Sequence, residues 1–224
     1  MIFDDLGGGV GIVISELNPI NKAKLKKACK EIKSGLLVNT SHDMLNQFHR
    51  RLTGYDTQIP FEEDLKSTLE KELRILIKVH ENKFHYFTRM YNYAAKLNNE
   101  VELELERMWF NVQRKGEFLP IHDHSGVYSF VIWAEVPFYM KDETELSPNS
   151  TLIKNRSGYF QFLYTNGLGK ITTHDLPVDK TWEGRICVFP ANLPHLVYPF
   201  YSNDGCRISI SGNFRVDPYA AIKN

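Results

Sequence analysis

At residue 101 the hydrophobic period of this chain changes from 3.6 residues to 2. Val101, Leu103 and Leu105 alternate with Glu100, Glu102 and Glu104, which puts apolar side chains on one face of a strand and charges on the other. From there to about Arg215 nearly everything reads as strand and turn. Residues 127–133 are β-branched and aromatic. Residues 159–164 and 170–173 flank the turn dipeptide Asn166-Gly167, and further strand-like runs follow at 186–189, 196–198 and 207–211. Several short strands at close spacing, with no helices between them, predict a barrel or sandwich.

The first hundred residues carry the other period. Asn18-Pro19 places a capping side chain and a proline at a helix start. The helix runs to about Ser34, with Leu25, Cys29 and Ile32 as its apolar stripe and six lysines on a solvated face. Thr40 or Ser41 can cap a second short helix through about Arg51, which Gly54 ends. The longest helical pattern spans 61–98, with Leu65, Leu69, Leu73, Leu76, Phe84, Phe87, Tyr91 and Ala94 at three- and four-residue spacing. Glu62–Lys66 and Glu70–Arg74 are favourable pairs along it, and Asn98-Asn99 stops it. Gly7-Gly8-Gly9 reads as a turn before a short strand, because no Gly-Lys-Ser/Thr follows that would make a phosphate loop. The expected organisation is a helical region over 1–100 packed on a β-core over 101–216, with a tail over 217–224.

Composition narrows the function classes. Lys+Arg and Asp+Glu balance at 27 each, so no broad field for nucleic acid follows. The three cysteines, Cys29, Cys187 and Cys206, are odd in number and far apart. They form neither a metal spacing nor a disulfide framework, which fits a reducing cytoplasm. No apolar run approaches the length of a membrane helix, and no basic region followed by an apolar core marks a signal peptide.

The chemistry concentrates in Ile121-His122-Asp123-His124-Ser125-Gly126 and in Pro194-His195. Histidines two apart on a strand share a face. His195 follows the apolar run at 186–189, and twelve residues later comes Arg207 with Ser209 on its face. Three histidines can hold a metal ion, leaving positions open for other ligands. Arginine grips a carboxylate through paired, charge-assisted hydrogen bonds. Gly126 leaves room beside the ion. Together these residues predict a non-haem iron site with a keto-acid cosubstrate. The lone histidines at 42, 49, 80, 85 and 174 are not assigned to it.

The motifs Trp109-Phe110-Asn111-Val112, His122-Asp123-His124-Ser125-Gly126-Val127-Tyr128, the run from Glu183 to His195 ending Phe189-Pro190-Ala191-Asn192-Leu193-Pro194-His195, and Arg207-Ile208-Ser209-Ile210-Ser211-Gly212-Asn213 resemble the 2-oxoglutarate/Fe(II)-dependent oxygenase superfamily. The resemblance is strongest to its bacterial and phage prolyl-hydroxylase-like proteins. It covers about residues 101–215 and implies a mainly β chain whose core is a double-stranded β-helix, or jelly roll. It further implies Fe(II) as metal, 2-oxoglutarate and O2 as cosubstrates, and hydroxylation of a C–H bond in a protein or small molecule. His122 and His195 match two metal ligands. Arg207, with Ser209 beside it, matches the group holding the distal carboxylate of 2-oxoglutarate. Asn111 and Tyr128 either contact the cosubstrate or belong to the core, and Asn213 shares the Arg207 face. The family usually carries Asp or Glu at the position of His124, so the site is one negative charge short. Asp123 would reach the metal only through a bulge. Two other classes stay open: a three-histidine cupin-type dioxygenase without cosubstrate, and a non-catalytic jelly-roll binding module. The cupin type would carry Glu where Tyr128 and Ser129 stand and would leave Arg207 unexplained. A homodimer is compatible with the sequence.

Overall fold

The computed structural model describes residues 1–38, 63–95 and 103–216. The second short helix expected after Thr40, His42, His49, the Asn98-Asn99 stop and the tail over 217–224 lie outside those residues. The first strands are β1 (Ile2–Gly7), β2 (Val10–Glu16), β3 (Leu103–Arg114), β4 (Leu119–His122) and β5 (Tyr128–Glu135). The rest are β6 (Phe160–Thr165), β7 (Ile171–Leu176), β8 (Arg185–Pro190), β9 (His195–Val197) and β10 (Cys206–Val216). They form two antiparallel sheets, ordered β1-β2-β8-β5-β10-β3 and β4-β9-β6-β7. Helices α1 (Pro19–Val38), α2 (Glu63–Phe84) and α3 (Tyr86–Ala95) precede β3, and a short α4 (Met140–Leu146) follows β5. No described helix is long and apolar enough to cross a membrane.

Alternation assigns each face of the larger sheet. Along β5, Tyr128, Phe130, Ile132 and Ala134 join the cluster that includes Leu25 and Ile32 of α1 and Leu69, Leu73 and Leu76 of α2. Val131 and Trp133 join the other cluster, with Phe160 and Phe162 of β6. A strand buried on both faces reads as a continuous apolar run, and 127–133 does. Along β10, Ile208, Ile210 and Phe214 face the helices, so Arg207, Ser209, Ser211 and Asn213 turn the other way, toward the space between the sheets.

The helical expectation holds with two changes. Asn18 caps α1 by accepting the Asn21 N–H at 2.9 Å, and Pro19 opens the helix as expected. The pattern over 61–98 is not one helix. It breaks at His85, whose φ is +52°. Glu81 sits beneath the break and accepts from the Phe87 N–H at 2.8 Å and the Thr88 N–H at 3.0 Å, the free donors of a new helix start. The second change concerns the first residues. Gly7, Gly8 and Gly9 all have positive φ and turn β1 back onto β2, so two strands extend the larger sheet where one was expected.

The stretch read as strand and loop also holds α4. Its Glu143 is buried and accepts from the N–H groups of Tyr201 and Ser202, at 2.9 Å and 2.7 Å. That carboxylate ties the loop before β10 to the loop after β5.

Candidate metal centre

His122 ends β4 and His195 opens β9, directly opposite each other in the antiparallel ladder. Their ring centroids are 4.3 Å apart. His124 lies beyond β4, just before the bend over residues 125–127. Strand alternation therefore does not bring it in, although it does arrive. Its N–H donates to Ala191 O at 2.9 Å, and the Ala191 N–H donates to Val127 O at 3.0 Å. These two bonds fold the 123–127 segment against the loop that leads to His195. The ligand atoms of His122, His124 and His195 all lie within 4.8 Å of one another, close enough for one ion to gather with small ring rotations. Asp123 is exposed and outside the cluster.

Backbone carbonyls orient two of the rings. His122 Nδ1 lies 2.7 Å from Pro120 O, and His195 Nδ1 lies 3.0 Å from Leu193 O. A carbonyl only accepts, so each Nδ1 carries the proton and each Nε2 keeps its lone pair, as metal ligation requires. Phe160 stacks on His195 at 5.3 Å and Phe189 meets it edge-on at 5.1 Å. This apolar wall makes the charged imidazolium costly. Burial, then the neighbouring His122, hold His195 down to about 3 and His124 down to about 4. Both rings are neutral near pH 7, the form that binds a metal.

A polar ladder runs from the histidines across the inner face of β3 and β10. Trp109 lies 5.7 Å from His124, ring to ring, and its Nε1–H donates to Asn111 Oδ1 at 3.0 Å. Asn111 donates to Ser211 Oγ at 2.9 Å and to Ser209 Oγ at 3.5 Å. One step further, Gln113 faces Arg207 across the strands. Arg207 is 3% exposed. It donates to Gln113 Oε1 from both Nε and Nη2, to Gly158 O at 2.7 Å from Nη1, and to Tyr198 O at 2.8 Å from Nη2. Phe138 and Phe200 flank the guanidinium at 5.8 and 5.9 Å. All these acceptors are neutral. Burial pushes Arg207 down to about 9, with Glu143 opposing the shift. The cation is thus desolvated with no carboxylate bonded to it among the described residues.

The structure therefore brings His122, His124 and His195 together and sets Asn111, Ser209 and Arg207 along one inner face. Tyr128 is a correction. It is fully buried on the helix side, where its hydroxyl donates to Glu81 Oε2 at 2.8 Å and its ring meets His80 at 5.0 Å. It stands across the sheet from the inner face. Gly126 also has a different purpose. Its φ is +104°, and a Cβ there would meet Phe214 O at 2.7 Å, so glycine serves the turn and the close approach to β10. Asn213 accepts from Ser129 Oγ at 2.7 Å and is a satisfied core residue. His174 is half-buried and lies 3.1 Å from Asp4. Gln113 escaped the sequence reading, although its place two residues after Asn111 on the same face was a usable signal.

Residues 107–213 match the sequence model of the family described as "Putative 2OG-Fe(II) oxygenase". The chain is similar to the crystal structure of a Pseudomonas putida prolyl-4-hydroxylase, with 19% identity over 93% of this chain and 88% of that one and a TM-score of 0.46. It is also similar to an oxidoreductase of the 2OG-Fe(II) oxygenase family from Burkholderia pseudomallei, with 16% identity over 65% of this chain, 57% of that one and a TM-score of 0.37. A comparison with curated proteins returned no match. The matched segment takes in all three histidines, the polar ladder and Arg207.

Proposed function

We propose that this protein is a 2-oxoglutarate- and Fe(II)-dependent oxygenase that hydroxylates a C–H bond of a protein or small-molecule substrate. The observation that carries the proposal is Arg207, a buried cation bonded to neutral oxygens only, at the end of a polar ladder that starts beside three clustered histidines. A buried charge calls for a partner, and a dicarboxylate fitted between histidines and arginine supplies one. The strand order supports the fold side of the proposal. From β3 to β10 successive strands alternate between the two sheets except at the β6–β7 hairpin, which stays in the smaller one; this is the pattern of a double-stranded β-helix.

The donor set fits Fe(II): three imidazoles on one side, two with Nδ1 held by a carbonyl, leave the other side open. When bound, Fe(II) with 2-oxoglutarate and O2 supplies the oxidation, giving succinate, CO2 and one oxygen atom for the substrate. The chain's own residues position and exclude. His122, His124 and His195 hold the ion, and Arg207 with Ser209 holds the distal carboxylate. Asn111 keeps Ser209 and Ser211 in place. Phe160, Phe162 and Phe189 keep water from the His195 side. A three-histidine dioxygenase without cosubstrate shares the donor set but gives the buried charge of Arg207 no counterpart.

Arg207→Ala tests the assignment. Hydrogen bonds to a charged group contribute about 1.5–3 kcal/mol, so 2-oxoglutarate should bind about 10- to 150-fold more weakly to the variant while ion binding is unchanged. Equal loss of both would make Arg207 a structural residue and remove the keto acid from the account.

A further inference from the structure

We propose that the ion and the keto acid load onto this chain as one charge-balanced pair, because the ion cluster contains no anionic donor of its own. This rests on the oxygenase function proposed above. Three imidazoles coordinate as neutral ligands, and among the described residues no Asp, Glu or Cys joins them. The nearest carboxylate in sequence, Asp123, faces solvent. A divalent ion held by these three residues keeps its whole charge. Arg207 adds a second cation on the inner face, bonded to Gln113, Gly158 and Tyr198 through neutral oxygens.

Two cationic centres on one inner face repel, and the buried Glu143 carboxylate, which is bonded to Tyr201 and Ser202, offsets the Arg207 charge only from a distance. A keto dicarboxylate carries two negative charges at its two ends. One end neutralises the ion and the other neutralises Arg207. Neither a simple monocarboxylate nor a neutral ligand does both. Binding linkage is reciprocal: the dianion tightens the ion by the same factor as the ion tightens the dianion. Residue 124 sets the size of that factor. An aspartate there would give the ion a permanent anion, and the dianion would add less.

The test is calorimetric titration of Mn(II), a redox-quiet stand-in for Fe(II), into the full chain without oxygen. Wild type and His124→Asp are compared with no addition, with saturating 2-oxoglutarate and with saturating pyruvate. In wild type, 2-oxoglutarate should tighten Mn(II) at least about ten-fold, within the range of ordinary coupling between sites, and pyruvate should do so several-fold less. His124→Asp should bind Mn(II) more tightly alone and show a smaller 2-oxoglutarate effect. Equal Mn(II) affinity with and without bound 2-oxoglutarate in wild type overturns the inference, as does equal coupling in the two proteins. If the variant does not fold, the pyruvate comparison in wild type decides: equal tightening by both acids overturns it. Failure of 2-oxoglutarate to bind in the presence of the ion overturns the oxygenase function instead.

Discussion

His195 gathers most of the site's physics into one residue. It is 3% exposed, walled by Phe160 and Phe189, and held neutral to about pH 3, whereas an unfolded histidine titrates near 6.5. Between those values the unfolded chain binds a proton that the native chain refuses, so the native state loses stability as pH falls through this window and is unaffected above it. At pH 5 the loss is about 2 kcal/mol for this residue alone. Urea unfolding of the metal-free protein at pH 7.5 and pH 5 should show it, and His195→Phe should flatten the dependence. A wild-type profile flat between those values would mean the ring is not buried as described. Gly126 gives a second residue-scale prediction. Gly126→Ala puts a methyl against Phe214 O in a left-handed backbone and should lower stability by more than about 1 kcal/mol. Two residues from His124, it should also weaken ion binding. At this scale the sequence displayed the residue types well. His122, His124, His195 and Arg207 stood out by residue type and spacing, and the structure clusters the three histidines and buries the arginine. Tyr128 was misplaced because adjacency to a motif says nothing about which face of a two-sided strand a residue takes. Gln113 was missed because an amide's residue type names no chemistry, and only its place two residues after Asn111, opposite Arg207, marks it.

Elements turn these residues into a site through a few fixed contacts. The loop between β8 and β9 holds His124 through Ala191 O and orients His195 through Leu193 O. It is tied to α3 by Tyr86, whose hydroxyl donates to Asn192 Oδ1 at 2.8 Å. Glu81 ties the α2–α3 break to β5 by accepting from Tyr128 and from the first N–H groups of α3. Glu81→Ala leaves the buried Tyr128 hydroxyl without its acceptor and should lower the unfolding free energy by about 1–3 kcal/mol, read by urea denaturation. An effect under about 0.5 kcal/mol would show that the break is held by packing instead. The 3.6 and 2 periods made α2, β5, β8 and β10 readable, since alternation and apolar stripes are local. The break at His85 was not readable. A histidine with φ of +52° is neither glycine nor asparagine, and the carboxylate that caps the new helix comes from Glu81 in the helix before it. The arrival of His124 was expected for the wrong reason, because a bend and a bond to Ala191 do what strand alternation was expected to do.

The molecule as a whole sets one sheet between two apolar clusters. Helices α1 and α2 bury one face of β5, β8 and β10, and the second sheet faces the other, with Trp133, Phe160 and Phe189 between. Polar residues between the sheets line up on β3 and β10, so the space there is apolar beside His195 and polar from Trp109 to Arg207. The change of period at residue 101 foretold the β-core, but no local pattern showed that the first sixteen residues return to extend it through β2 and β8. That pairing joins the start of the chain to its last third, a long-range contact without a local signal. The central claim is that the histidines hold an ion and Arg207 holds a keto acid on it. The most direct measurement is the visible absorption of the anaerobic protein with Fe(II) and 2-oxoglutarate added separately and together. A weak charge-transfer band present only with both, and lost in Arg207→Ala at the same 2-oxoglutarate concentration, is the predicted result; a band with Fe(II) alone, or none with both, would contradict the account.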